Sequence, residues 1–486
     1  MALFYALEKQ KEDLPAKMPY TRRDRIASHG YVLCILSKSL QCPTEAQATT
    51  GGGRRPRVLS PPTGASSDSH LPGNTNRFST HPLMHQDAQL QQQEVEGARL
   101  ADCFASQCLS DDFFNNTWER KHHIWRRDAL KSHSIGPNLF NPSSFAELIY
   151  RVWMANNLAL FKEGTAIEVG VPPSWPSGSR VEGPALAVWG CLLRPYLGTT
   201  SYILNQADRG SPMLYAFCRR LAEKLFYHVF AVGYLTPPKS YTVGAHTDAQ
   251  DVFLLQLWGC KEWDIYNSPL GLCLSSEMLG KKGPIEQASD LGTPTSFCLN
   301  AGDILYIPRG MAHKGRTAEE ISLHVTITIP TAEFSHETPR LAGGPETEKR
   351  RREMTKRLLE DVNKHLNYEG LLAACDDHAA NLTAMQCSQY RVSQEAAVKL
   401  PIHWHSVVRL QDGISCECEE DSSTAIFTKG TAVLRLPICP TASAVMRVLA
   451  QGEPIEVAEL PCADGFEAFC VCVVLLNKGL IQVERY

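Results

Sequence analysis

The hydrophobic pattern changes period several times along the chain. From about residue 41 to 98 it has none: GGGRRPR, SPPTGASSDS and QLQQQ are rich in Gly, Ser, Pro and Gln, with too little apolar surface to offset chain entropy. This predicts a disordered linker inside a poorly ordered extension over 1–100. Order resumes near 101, where SDDFFNNTWERKHHIWRRD carries Phe113, Phe114, Trp118 and Trp125. Ser144-Phe145-Ala146-Glu147 reads as a capping box, followed at helical spacing by Phe145, Leu148, Ile149, Val152 and Trp153. Ser211-Pro212 is a second helix start, ahead of Leu214, Phe217, Cys218, Leu221 and Leu225 on one face.

From about 226 the period falls towards two. FYHVFAVGYL, DVFLLQLWG, KEWDIY, SFCLN, DILYIP and SLHVTITIP are short, β-branched or aromatic, and bounded by Gly, Pro and Asp. Such runs predict an antiparallel β barrel or jelly roll. After about 335 helical spacing returns: EKRRREMTKRLLEDVNKHL sets Met354, Leu358, Val362 and Leu366 on one stripe, and GLLAACDDHAANL reads as a second helix. The last stretch, 396–486, runs strand, helix, short element, helix, strand, an order compatible with a winged helix. The expected fold class is α+β, divided at 101–335, 336–395 and 396–486.

Charge and cysteine usage narrow the partners. Lys plus Arg number 48 against 52 Asp plus Glu, so no cationic field exists to grip a phosphate backbone. Residues 401–486 are more acidic still, with six bases against eleven acids, so direct nucleic-acid binding is not expected. Arg54, Arg55 and Arg57, like Lys349 to Arg352, read as solvated charge ahead of a targeting signal. The 17 cysteines are odd in number and lack a disulfide or zinc-ribbon spacing, which suits cytosol or nucleus. The pairs Cys416/Cys418 and Cys470/Cys472 read as buried thiols. MALFYALEKQKEDLPAK lacks the apolar core of a secretory signal, and no apolar run is long enough to span a bilayer.

One constellation carries chemistry. His246-Thr247-Asp248 opens HTDAQDVFLLQLWG, where strand alternation would send His246 and Asp248 to the same face. GDILYIPRGMAH then delivers His313 from a strand and a Pro-Gly turn, 67 residues beyond His246. Two histidines and a carboxylate on one side of a metal form the facial triad of non-haem Fe(II) oxygenases. Three protein ligands leave three adjacent positions open, two for a chelating 2-oxo acid and one for O₂. The conjunction matters, because HxD alone also occurs as His85-Gln86-Asp87 within the linker.

YLTPPKSYTVGAHTDAQDVFLLQLWGCKEWDIY, with NAGDILYIPRGMAHKG and SLHVTITIP, resembles the JmjC-type, cupin-like ribosomal oxygenases, Fe(II)/2-oxoglutarate-dependent histidyl hydroxylases. The resemblance covers 101–486. It implies a double-stranded β-helix core with flanking helices, a helical dimerisation region at 336–395 and a C-terminal winged helix. It also implies His246, Asp248 and His313 as iron ligands, and Lys261, on the following strand, as the partner of the distal carboxylate of 2-oxoglutarate. Thr326 matches a cosubstrate hydrogen-bonding position, and Tyr234 and Thr328 match positions on the substrate side. One departure stands out: Val232 occupies the place of an asparagine that contacts the target. The resemblance further implies a ribosomal protein substrate, a homodimer without a membrane, and a nuclear or nucleolar location, with mitochondrion or cytoplasm as alternatives. Rival readings are an N-methyl-lysine demethylase and an inactive cupin scaffold for ribosomal or chromatin partners.

Overall fold

The computed structural model describes residues 81–130, 139–168, 186–224, 226, 228–266, 278–280, 291–334, 368–395, 398–419, 423–438, 441–462 and 464–486. The linker up to 80, both basic clusters and the helix expected through Leu366 lie outside the described residues. The chain divides into two units, the larger holding Leu90–Arg340 and Cys375–Tyr486. The smaller, Asp13–Gln89 with Leu341–Ala374, is described only where two helices begin, at His81 and Tyr368.

Helix α1 (His81–Cys108) corrects the linker expected to run to 98. Leu100, Ala101, Phe104 and Cys108 form its buried stripe, and the Gln, Glu and Ala that read as low complexity are good helix formers that extend it backwards. The short helix α2 (Asp111–Asn116) is capped by Ser110 and leads to strand β1 (His123–Trp125). Helix α3 (Pro142–Met154) starts three residues before the expected cap: Asn141 is the N-cap, and Ser144 is the third helical residue of the box. Strands β2 (Leu158–Lys162) and β3 (Thr165–Ile167), helix α4 (Leu186–Leu197) and β4 (Ser201–Leu204) follow. Helix α5 (Pro212–Lys224) begins at Ser211-Pro212 as expected.

The β region comprises β5 (Phe230–Thr236), β6 (Asp251–Tyr266), β7 (Pro294–Asn300), β8 (Ile304–Ile307), β9 (His313–Arg316) and β10 (Ser322–Ile329). The principal sheet runs β1-β8-β6-β10-β5-β4-β2-β3, while β7 and β9 pair with the far half of β6. DVFLLQLWG and KEWDIY are therefore one 16-residue strand, not two. Gly259 makes this possible. It takes φ +56°, and a Cβ there would stand 2.0 Å from the Ile321 carbonyl oxygen. Beside it the β10 register slips between Leu323 and His324. The irregularity inverts the alternation: Val252 and Leu254 share an apolar cluster with Trp263 and Ile265, so even positions face inward before the bend and odd positions after it.

The segment before the sheet packs on its outer face. Phe113 and Trp118 stand 5.0 and 5.5 Å from the Tyr306 ring, whose hydroxyl donates to buried Asp251 at 2.5 Å and accepts from the Glu119 N–H at 2.8 Å. Asp303, in the turn before β8, is held by Arg126 at 2.7 Å and by the Arg127 N–H at 2.9 Å.

Helices α6 (Thr331–Phe334) and α7 (Tyr368–Glu395) precede the C-terminal part. That part contains β11 (Val407–Leu410), β12 (Ile414–Cys418), β13 (Thr424–Lys429), β14 (Ala432–Pro437), α8 (Ala442–Leu449), β15 (Ile455–Glu456), α9 (Gly465–Asn477) and β16 (Ile481–Arg485). The two helices and flanking strands follow the expected order, with the β12-β13-β14 meander in addition. These residues do not stand apart as a compact unit, because α9 is buried against α4 and Phe466 meets Phe145 at 5.3 Å. Cys416, Cys470 and Cys472 are buried free thiols, and Cys418 is a partly buried one.

Candidate metal centre and adjoining pocket

His246 precedes β6 and reaches β9 through its own backbone. Its N–H donates to the His313 carbonyl at 3.0 Å, and the His313 N–H donates back at 2.9 Å. Two residues far apart in sequence thus become direct neighbours. Thr247 turns the other way, its N–H and hydroxyl bonded to the backbone of Leu279. His246 and Asp248 consequently share one side, as expected, although they sit in an irregular turn ahead of the strand and not within it. Gly310, at φ +79°, completes the approach by donating its N–H to the Asp248 carbonyl at 2.8 Å.

The three side chains converge so that one ligand atom from each lies within 4.8 Å of the others, the one such cluster among the described residues. Asp248 Oδ2 is 3.8 Å from His246 Nε2 and 3.6 Å from His313 Nε2. Each histidine places Nδ1 against a backbone carbonyl two residues back, Gly244 at 2.8 Å and Met311 at 3.0 Å. A carbonyl only accepts, so each Nδ1 carries the proton and each Nε2 keeps a lone pair for a metal. The donor set, two neutral imidazoles and one carboxylate, suits a divalent transition metal with open positions.

A pocket of ≈ 470 Å³, partly open to solvent, adjoins the triad. Lys261 lies in its wall, 3% exposed, with Nζ donating to Thr236 Oγ1 at 3.2 Å and standing 5.4 Å from the centre of the Trp263 ring. No carboxylate among the described residues pairs with it. Burial pushes its pKa down to about 7. It occupies the same strand as the start of the pocket wall, and its inward direction follows from the bend at Gly259.

Strand β10 is buried throughout and two-faced. Leu323, Val325, Ile327 and Ile329 enter the main core, leaving Ser322, His324, Thr326 and Thr328 on the other face. Thr326 lines the pocket, while Thr328, opposite Phe230 and Val252, is buried beyond its lining. Tyr234 also lines it, stacked on His324 at 4.9 Å and 6°, and Val232 is opposite Thr326. Burial, with burial-weakened charge from Lys261 and His313 beside it, holds the His324 pKa well below the ordinary histidine range. Neither His324 nor Trp263 stood out in the sequence. The signal was present in SLHVTITI, where every second residue is polar in a strand that has no exposed face.

An antiparallel β core with this triad inside it defines a metal-binding, cupin-like domain. Residues 209–336 match the family model of the JmjC domain. The chain is 30% identical over 247 residues to a bifunctional lysine-specific demethylase and histidyl-hydroxylase, NO66, of Drosophila mojavensis, covering 48% of this chain and 25% of that protein. It is 24% identical to ribosomal oxygenase 1 of Bos taurus, covering 92% of this chain and 73% of that one. The chain thus spans about a quarter to a third of the fruit-fly relatives it matches. Among solved structures, YcfD, a ribosomal oxygenase from Escherichia coli, aligns over 77% of this chain and 97% of its own at 16% identity and a TM-score of 0.31. The family model and the curated relatives place the JmjC domain of this chain among those of the ribosomal oxygenases.

Proposed function

We propose that the protein is an Fe(II)- and 2-oxoglutarate-dependent oxygenase that hydroxylates a protein side chain, with histidine of a ribosomal protein as its target. The observation that carries this reading is the convergence of His246, Asp248 and His313, both Nε2 atoms free, beside a buried lysine with no counter-charge. Iron held there supplies O₂ activation coupled to oxidative decarboxylation of the cosubstrate. The chain's own work is placement. Lys261 receives the distal carboxylate as a charge partner in a site that water does not screen, and Thr326 offers a hydroxyl beside it. Tyr234 bounds the substrate side, and Thr328 acts only by supporting that wall. Val232 gives the target an apolar contact where an asparagine would hydrogen-bond, which fits a target differing from that of the resembling enzymes.

The partner on this reading is a protein chain, the assembly a homodimer and the compartment the nucleus. The printed names of the fruit-fly relatives keep lysine demethylation as a second reading. Formaldehyde release from a methyl-lysine peptide separates it from hydroxylation, which adds one oxygen and releases none.

Anaerobic titration with Fe(II) and 2-oxoglutarate tests the site directly. The expected result is a metal-to-ligand charge-transfer band, lost in His246→Ala and weakened in Lys261→Ala. Absence of the band in folded, metal-loaded protein would leave the scaffold reading in its place.

A further inference from the structure

Two polar atoms belonging to the pocket wall are buried and have no hydrogen-bond partner: Nε1 of Trp263 and Nδ1 of His324. An indole N–H can only donate, so burying it without an acceptor costs the folded state the full desolvation of a donor. Both side chains are fixed in place. The Trp263 ring lies over Gly315, where a Cβ would come within 3.2 Å of it and 3.0 Å of Lys261 Cε. The imidazole of His324 is clamped flat against Tyr234 and meets the Trp263 ring edge-on at 5.6 Å. Lys261 adjoins the same indole. An ammonium and two orphaned ring nitrogens therefore form one contiguous patch, rich in donors and without an acidic side chain of its own.

We infer that Trp263 Nε1 and His324 Nδ1 join Lys261 in a three-donor seat for the distal carboxylate of a dicarboxylic 2-oxo acid, making these two residues determinants of cosubstrate choice. The inference rests on the proposed cosubstrate site and adds to it which residues read the ligand. A carboxylate presents about four lone-pair directions, more than one ammonium can fill. Lys261 supplies charge, and the two rigid rings supply direction. A monocarboxylic oxo acid would leave both ring nitrogens as unpartnered as they are without ligand, so the discrimination comes from the protein's own unmet donors.

The test compares binding of 2-oxoglutarate and 2-oxopentanoate, the same carbon chain without the distal carboxylate, to the full-length Fe(II) protein by anaerobic calorimetry and competition. Trp263→Phe keeps a ring and removes the N–H. His324→Leu removes both nitrogens, whereas His324→Asn keeps a donor close to the Nδ1 position. The expected outcome is about a tenfold or greater loss of 2-oxoglutarate affinity in Trp263→Phe and His324→Leu, with most of it restored in His324→Asn. Affinity for 2-oxopentanoate should stay within about twofold in all three. Equal losses for both ligands, or no loss for 2-oxoglutarate, would assign the two rings to packing and overturn the seat. If Trp263→Phe does not fold, the His324 pair decides alone. Failure of the wild type to bind either oxo acid would instead remove the cosubstrate reading, and the seat with it.

Discussion

Replacing Lys261 by methionine should make the ligand-free protein more stable while ending its ability to hold a dicarboxylate. Lys261 is 3% exposed, and burial lowers its pKa from 10.5 to about 7. That difference corresponds to roughly 5 kcal/mol of cost for carrying the ammonium in the empty site. Methionine has similar length and no charge, but it forfeits the hydrogen bond to Thr236 and the contact with the Trp263 ring, worth together about 1–2 kcal/mol. The net gain should be about 3–4 kcal/mol near neutral pH. The sign with pH follows from the protons bound. Below about pH 7 lysine is charged in both folded and unfolded protein, and the full cost applies. Between about 7 and 10.5 the folded protein has released the proton and the unfolded chain has not, so the cost declines by about 1.4 kcal/mol for each pH unit. Urea unfolding of metal-free wild type and Lys261→Met at about pH 6.5 and 9.5 measures this, since other titrating groups cancel in the difference. A variant no more stable than wild type at the lower pH, or an advantage that does not shrink at the higher one, would refute the reasoning.

Further expectations follow from the same geometry. Asp248→Ala should lose metal binding and coupled turnover, and retained turnover would remove Asp248 from the ligand set. Binding of 2-oxoglutarate above about pH 7 should draw in close to one proton, because Lys261 is neutral in the empty site and charged against a carboxylate. Calorimetry in buffers of differing ionisation enthalpy reads that proton, and zero uptake at about pH 8.5 counts against the Lys261 assignment. Tyr306→Phe should destabilise the fold by about 1–3 kcal/mol, since it strips a donor from buried Asp251 and an acceptor from the Glu119 N–H. An unchanged unfolding midpoint would show that those bonds contribute nothing.

The triad was legible because its parts are short, local and chemically uncommon together: HxD, a glycine turn and a histidine, set in alternating apolar runs. The second start signal, Ser211-Pro212, was legible for the same reason. The strand at 251–266 was not, because Gly259 reads as a break when only local propensity is weighed. Its continuity depends on the neighbouring β10, whose register slip accommodates the bend. The inward direction of Lys261 depends on that slip too, so alternation counted from His246 could not supply it. Asn141 was passed over as a cap because Ser144 and Glu147 offered an equally good box three residues later. Trp263 and His324 escaped notice because an aromatic residue in a barrel strand looks like core until its unpartnered nitrogen is seen.

The backbone bridge between His246 and His313 has a bearing on metal supply. It closes a long loop without any ion, so the folded chain presents both imidazoles already paired, with their tautomers set. Loading then involves little ordering of the polypeptide, and the free energy of coordination appears almost wholly as affinity. A ready-made nitrogen and oxygen site follows the general ranking of divalent ions, in which iron stands below cobalt, nickel and copper. Which ion occupies the protein is accordingly set by relative abundance in its surroundings, and iron-dependent activity would be gained or lost by exchange in a molecule that stays folded throughout.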